Sequence, residues 1–146
     1  PQYITNADLF VFKADEKSDL DGLNMASYFI SAKPNNKILC QCQSFFEKYW
    51  KENNFLVNYF SFLHAFTMIA LRNKDLWEKV PFFSFIPVQQ MQSELVKPYS
   101  KERFEQLKLM TPIHKLTYKP KVMTKQKNIN FEGSLYEAII EGKIYD

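Results

Sequence analysis

One stretch of this chain concentrates the side chains that do chemistry. Thr111-Pro112-Ile113-His114-Lys115-Leu116-Thr117-Tyr118-Lys119 brings together an imidazole, two ammonium groups, two hydroxyls and a phenol. An imidazole titrates near neutral pH, and ammonium groups attract phosphates and other anions. Pro112 disfavours helix at Thr111, and β-branched and aromatic residues follow, so the segment is expected to be extended. Alternation then puts His114, Leu116 and Tyr118 on one face and Ile113, Lys115, Thr117 and Lys119 on the other. Each face mixes an apolar anchor with polar groups, as the wall of a polar cleft does. The competing reading is an edge strand, with lysines that discourage pairing and a merely exposed His114.

Other reactive residue types are sparser. Asp19-Leu20-Asp21 forms a D-x-D string, but it lies in a charged loop rather than at the end of an apolar strand, so solvated carboxylates are the better reading. A calcium-loop reading also fails, because the earlier and later ligand positions are missing. Cys40 and Cys42 fall two apart in a helical pattern, which points them to opposite sides and prevents a mutual disulfide or a metal pair. Cys42 lies on the apolar face and reads as core. His64 sits in an apolar helical stretch, where a histidine is usually a satisfied structural hydrogen-bonder.

The elements that must position these groups follow from periodicity and breaks. Leu9-Phe10-Val11-Phe12 reads as a buried strand ending at Lys13, and Tyr28-Phe29-Ile30 as a second one. Asn35 or Asn36 caps a helix in which Ile38, Leu39, Cys42, Phe45, Phe46, Tyr49 and Trp50 recur at helical spacing as a core stripe, ending at Asn53-Asn54. A second helix, apolar almost all round and therefore central, is expected from about Leu56 to Arg72. Leu76 to Val80 forms a short helical turn. Pro81 and Pro87 bracket an extended aromatic segment, and Gln89 to Lys97 is compatible with helix. Ser100 caps a helix through about Met110, with Phe104, Leu107 and Met110 inward. Ser134 caps the last helix, with Glu137 at the capping-box position.

With 146 residues, 46% hydrophobic and 16% aromatic, the chain has enough apolar material for a folded core, which excludes global disorder. No apolar run approaches the ~20 residues that span a bilayer, and the first residues do not resemble a secretory signal. The two cysteines require no oxidising compartment, so a cytoplasmic setting is expected. The net charge of +3 is unevenly spread. Residues 97–127 hold nine basic groups against Glu102 and Glu105, whereas residues 1–26 hold five acids against two lysines. The basic stretch contains the 111–119 motif and suits phosphates of a nucleotide, a nucleic acid or an anionic membrane surface.

Taken together, these segments resemble the capsular polysaccharide synthesis proteins, a bacterial family related to family 32 glycosyltransferases with a D-x-D sugar-binding motif. The similarity runs through Asp8 to Phe12, Asn24 to Ala32 and the following helix, Tyr49 to Asn53, Asn58-Tyr59-Phe60 and Val80 to Phe83. It is most specific in His114-Lys115-Leu116-Thr117-Tyr118. The resemblance implies an α/β fold of the GT-A, Rossmann-like type, helix-rich with a few short strands. It also implies a nucleotide-sugar donor, a saccharide acceptor that includes lipid-linked ones, and a divalent metal, Mn²⁺ or Mg²⁺. On that basis His114 is expected at the metal, and Lys115 and Lys119 at the diphosphate. Asn24 and Ser27 are expected to line the sugar pocket. Asn58 stands where the family usually has Asp, which weakens an acidic acceptor contact there. The family's D-x-D strand lies upstream, so residues 1–146 are expected to be the C-terminal part of one catalytic domain, inactive alone, with catalytic residues unidentified. The expected function is nucleotide-sugar-dependent glycosyl transfer in capsular or surface polysaccharide synthesis, in the cytoplasm or at the inner face of the membrane. The alternative is a non-catalytic basic module that docks on a membrane or a partner protein through residues 97–127. Nucleic acid is not an expected partner, because the aromatics fall in helical core positions away from the lysines.

Overall fold

Leu9-Phe10-Val11-Phe12 needs apolar cover on both faces. In the computed structural model of the protein, which describes residues 1–14, 23–117, 119 and 130–145, it has that cover. Strand β1, Leu9–Lys13, is buried at every position. It pairs antiparallel with β2, Met25–Ala32, and the register shifts between Val11 and Phe12. Such a bulge kinks the strand locally. Leu9 and Val11 pack with Met25, Ile38, Cys42, Leu63, Phe66 and Ile69. On the other side Phe10 meets the rings of Tyr3, Phe12, Phe29 and Phe83 at centroid distances of 5.3–6.0 Å. Tyr3 belongs to a short helix, α1 (Gln2–Asn6), that periodicity did not reveal.

The chain folds as two compact units, Pro1–Phe85 and Ile86–Asp146. The first is completed by three helices: α2 (Lys37–Glu52), α3 (Ser61–Arg72) and α4 (Lys74–Trp77). Asn36 caps α2, its Oδ1 accepting from the Leu39 N–H at 3.2 Å. The preceding Asn35 takes a left-handed φ of 61°, which Asn tolerates better than most residues. Residues 83–85 run beside the end of β1: the Lys13 N–H donates to the Phe83 carbonyl at 2.8 Å, and Phe85 N–H to the Lys13 carbonyl at 3.3 Å.

The second unit holds α5 (Ile86–Glu94), α6 (Lys101–Met110) and α7 (Leu135–Ile140), followed by a 3₁₀ turn at Lys143–Tyr145. Met91, Leu95, Phe104, Leu107 and Leu135 form its core. Ser100 caps α6 by accepting from the Arg103 N–H, and Ser134 caps α7 by accepting from the Glu137 N–H. The Glu137 carboxylate in turn accepts from the Gly133 N–H at 2.8 Å, one residue ahead of the position a standard capping box uses. The described chain is thus a mixed α and β structure. Its only sheet, among the described residues, is the two-stranded antiparallel pair.

Several expectations are corrected. Helix α3 starts at Ser61, not near Leu56. Asn58 Oδ1 accepts from Phe60 N–H at 2.7 Å, and Ser61 Oγ donates to the Asn58 carbonyl at 2.6 Å, a local turn that outcompetes helix. Residues 55–60 are consequently exposed, with Tyr59 at 87%. The aromatic stripe of α2 is core only in its first half: Ile38 and Cys42 are buried, while Phe45 and Trp50 are exposed. His64 is exposed rather than buried. Pro87 lies in the first turn of α5 instead of closing an extended segment, since a missing N–H costs nothing there. Met110 is exposed.

Candidate functional site

The 111–119 segment leaves the end of α6 as irregular chain. Thr111, the C-cap, is extended as Pro112 requires. No described residue of the segment pairs in a strand ladder, so the two alternating faces expected from the sequence are not imposed by a sheet. Instead Thr111 Oγ1 accepts from Ile113 N–H at 3.3 Å and Thr117 Oγ1 from Lys119 N–H at 3.1 Å. These threonine turns satisfy the backbone locally. The Lys115 N–H donates to the Val88 carbonyl at 2.9 Å, which fastens the motif to the first turn of α5.

This fastening leaves His114 in an unusual position. Both ring nitrogens, Nδ1 and Nε2, are buried, and neither has a hydrogen-bond partner among the described residues. Burial holds the imidazole pKa below its ordinary 6.5. The backbone of Lys108 and of Thr111 opposes this by favouring the protonated form, without reaching hydrogen-bond geometry. A ring whose two polar atoms meet only the loosely placed backbone of Lys108 and Thr111 is open to a further partner. Lys115 is half-buried and Lys119 exposed. Tyr118 lies outside the described residues.

The rest of the basic stretch is partly neutralised. Glu94, only 4% exposed, takes two hydrogen bonds from the Arg103 guanidinium, at 2.9 and 2.5 Å, and a third from Gln90. The Arg103 bonds, more than the other contacts, hold the Glu94 carboxyl down at a pKa of about 2. Lys97 stands 4.0 Å from the same carboxylate, and Lys108 pairs with Glu105 at 2.9 Å. Described residues 97–117 therefore do not present one continuous basic face.

The other expected site residues lie in the first unit. Asn58 spends its side-chain oxygen on the Phe60 N–H, in a turn ahead of α3, whose N-cap is Phe60. It also borders a cleft of about 400 Å³ with Phe45, Tyr49, Ser61 and His64. Sequence reasoning missed this cleft because it assigned those aromatics to the core. Asn24 ties the start of β2 to α3: its Oδ1 accepts from Thr67 Oγ1 at 3.0 Å, and its N–H donates to the same oxygen at 3.3 Å. Its buried Nδ2 has no partner among the described residues. Ser27 is exposed on β2. The expected residues thus divide, with Asn24, Ser27 and Asn58 in one unit and His114, Lys115 and Lys119 in the other.

A metal site is not completed by these groups. Among the described residues no three His, Cys, Asp or Glu come together as a metal cluster, so His114 is a single donor without companions. Asp19-Leu20-Asp21 lies outside the described residues. Cys40 is exposed and Cys42 buried, both as free thiols, and burial pushes the Cys42 thiol up to about 11, which keeps it inert. No described helix is long and apolar enough to cross a membrane.

In comparison with known proteins, a family model described as capsular polysaccharide synthesis protein matches residues 1–139. No curated protein matches the chain, and no solved structure does.

Proposed function

The chain belongs to the capsular polysaccharide synthesis protein family, and from that premise we propose that it serves as part of a nucleotide-sugar-dependent glycosyltransferase of GT-A type. The observation that carries the reading is His114. In the most specific block of the chain, a half-buried imidazole has two inaccessible nitrogens without a hydrogen-bond partner among the described residues. A residue kept neutral by burial and left unpartnered suits ligand or metal contact better than a structural role.

In this reading the acceptor hydroxyl attacks the anomeric carbon of the donor. The bond from that carbon to the diphosphate oxygen breaks, the electron pair leaves with the diphosphate, and the acceptor hydroxyl gives up its proton to water. Lys115 and Lys119 offset the charge that builds on the departing group. Asn24, Ser27 and Asn58 are the proposed sugar-side contacts. A divalent cation, Mn²⁺ or Mg²⁺, belongs to the proposal as a ligand of His114, with its remaining donors outside the described residues. The acceptor is a surface saccharide, and the reaction takes place on the cytoplasmic side of the membrane.

The test is release of nucleoside diphosphate by the full-length protein from a panel of UDP- and GDP-sugars with Mn²⁺. His114→Ala is expected to lose about a hundredfold or more in turnover. His114→Leu should keep the fold, as read by thermal melting, and be equally inactive. Normal metal-dependent turnover in both variants removes His114 from the site.

A further inference from the structure

The first unit contains a second concave site, lined by none of the residues assigned above. The loop before α2, the first turn of α2 and the end of α4 enclose a cavity of about 390 Å³. Its floor is apolar, made by Leu9, Ile38 and Val80, all nearly fully buried. Three lysines, Lys33, Lys37 and Lys79, line it against one acidic residue, Asp8.

The charges do not cancel. Asp8 is committed to Lys33 at 2.8 Å, and Lys33, with Lys79 beyond it, holds the Asp8 carboxyl below its ordinary range. Lys79 feels that carboxylate at a distance but forms no ion pair among the described residues, and neither does Lys37. Like charges gathered on one concave wall repel one another, and an anion between them relieves the repulsion. The rim is held in place: the Asp8 carbonyl accepts from the Lys33 N–H at 3.0 Å and from Asn36 Nδ2 at 3.2 Å. The positive end of the α2 dipole opens at the same mouth and adds to the field of the lysines.

We propose that this cavity binds a phosphate-bearing ligand, a phosphomonoester or diphosphate joined to an organic body. The lysines take the phosphate, and the Leu9, Ile38 and Val80 floor packs the body. The volume exceeds what a bare ion fills and falls within the range of small-molecule pockets. This inference does not rest on the transferase reading. Its probes bind or fail to bind whatever reaction the protein performs.

The experiment is calorimetric titration of the full chain with inorganic pyrophosphate at low salt. Saturable binding is expected. Lys37→Gln with Lys79→Gln should weaken it about a hundredfold, near tenfold for each ammonium removed. Lys48→Gln with Lys51→Gln, which remove equal charge from the exposed surface of α2, should leave it unchanged, and thermal melts should show both double variants folded. No saturable binding overturns the proposal, as does an equal loss in the two variants, which would mark general charge attraction. Glucose 1-phosphate and phosphatidate-containing vesicles distinguish the source. Binding of either that is lost with Lys37 and Lys79 supports the site and identifies a soluble or a lipid phosphate as its ligand. Failure of both overturns it.

Discussion

Lys13 in the first unit and His114 in the second are both polar groups withdrawn from water, and their surroundings treat them in opposite ways. The Lys13 ammonium donates to the Val80 carbonyl at 2.7 Å and the Trp77 carbonyl at 3.1 Å, and lies 4.2 Å over the Trp77 ring. Desolvation lowers its pKa, yet every side of the charge is answered by carbonyls at the end of α4 or by an aromatic face. Glu94 in the second unit is answered in the same way by Arg103 and Gln90. His114 has no such partners among the described residues. A buried polar group that is fully partnered belongs to the architecture, whereas one left open is available to something that binds.

Substitutions can break this contrast. The largest effect is expected at Lys13. Lys13→Met strands two carbonyls and should cost about 3 kcal/mol in a urea unfolding curve. A loss below the noise of that curve would make Lys13 as dispensable as an exposed lysine. Next comes the pH dependence of the second unit. The Glu94 carboxyl lies at about 2 in the fold against an ordinary 4.5. A depressed carboxylate stabilises the fold fully above its unfolded value and loses that contribution as pH falls from about 4.5 through about 2. Glu94→Gln should flatten this acid limb, as followed by circular dichroism between neutral and acid pH.

Smaller effects sharpen the other side of the contrast. Asn58→Ala removes one hydrogen bond from the turn ahead of α3 and should cost about 1 kcal/mol. The same loss of stability, with sugar transfer unchanged, would leave Asn58 as a turn residue alone. His114→Leu should leave stability unchanged or raise it, since replacing an unanswered polar ring by an apolar group forfeits no hydrogen bond. A heavy loss would reveal a partner and undo the comparison. Finally, the His114 ring should titrate below 6.5 when followed by nuclear magnetic resonance, because burial disfavours its charged form.

Much of the fold was legible because its signals are local. Leu9 to Phe12, continuous and apolar, became a strand buried on both faces, and Asn36, Ser100 and Ser134 cap the helices their types and positions indicate. The failures share one cause. Phe45, Trp50, Phe55, Leu56, Val57, Tyr59 and Phe60 are apolar or aromatic, and that character was read as burial, yet they remain exposed around the α2–α3 connection. Their environment depends on what packs against them, which helical spacing does not specify. The 111–119 motif was read as a strand because its residues favour extension. Extension alone makes no sheet without a neighbouring strand, and threonine turns satisfied its backbone instead.

The sequence by itself determined the family, most of the helices and both strands of the sheet, the caps at Asn36, Ser100 and Ser134, and His114 as the residue to watch. All of these rest on residue identity or on neighbours within a few positions. Only the tertiary structure decided that Lys13 is answered and that His114 is not answered among the described residues, and that Lys33, Lys37 and Lys79 line one cavity. Desolvation and charge repulsion act through space, and their strength is set by atoms that arrive from distant parts of the chain.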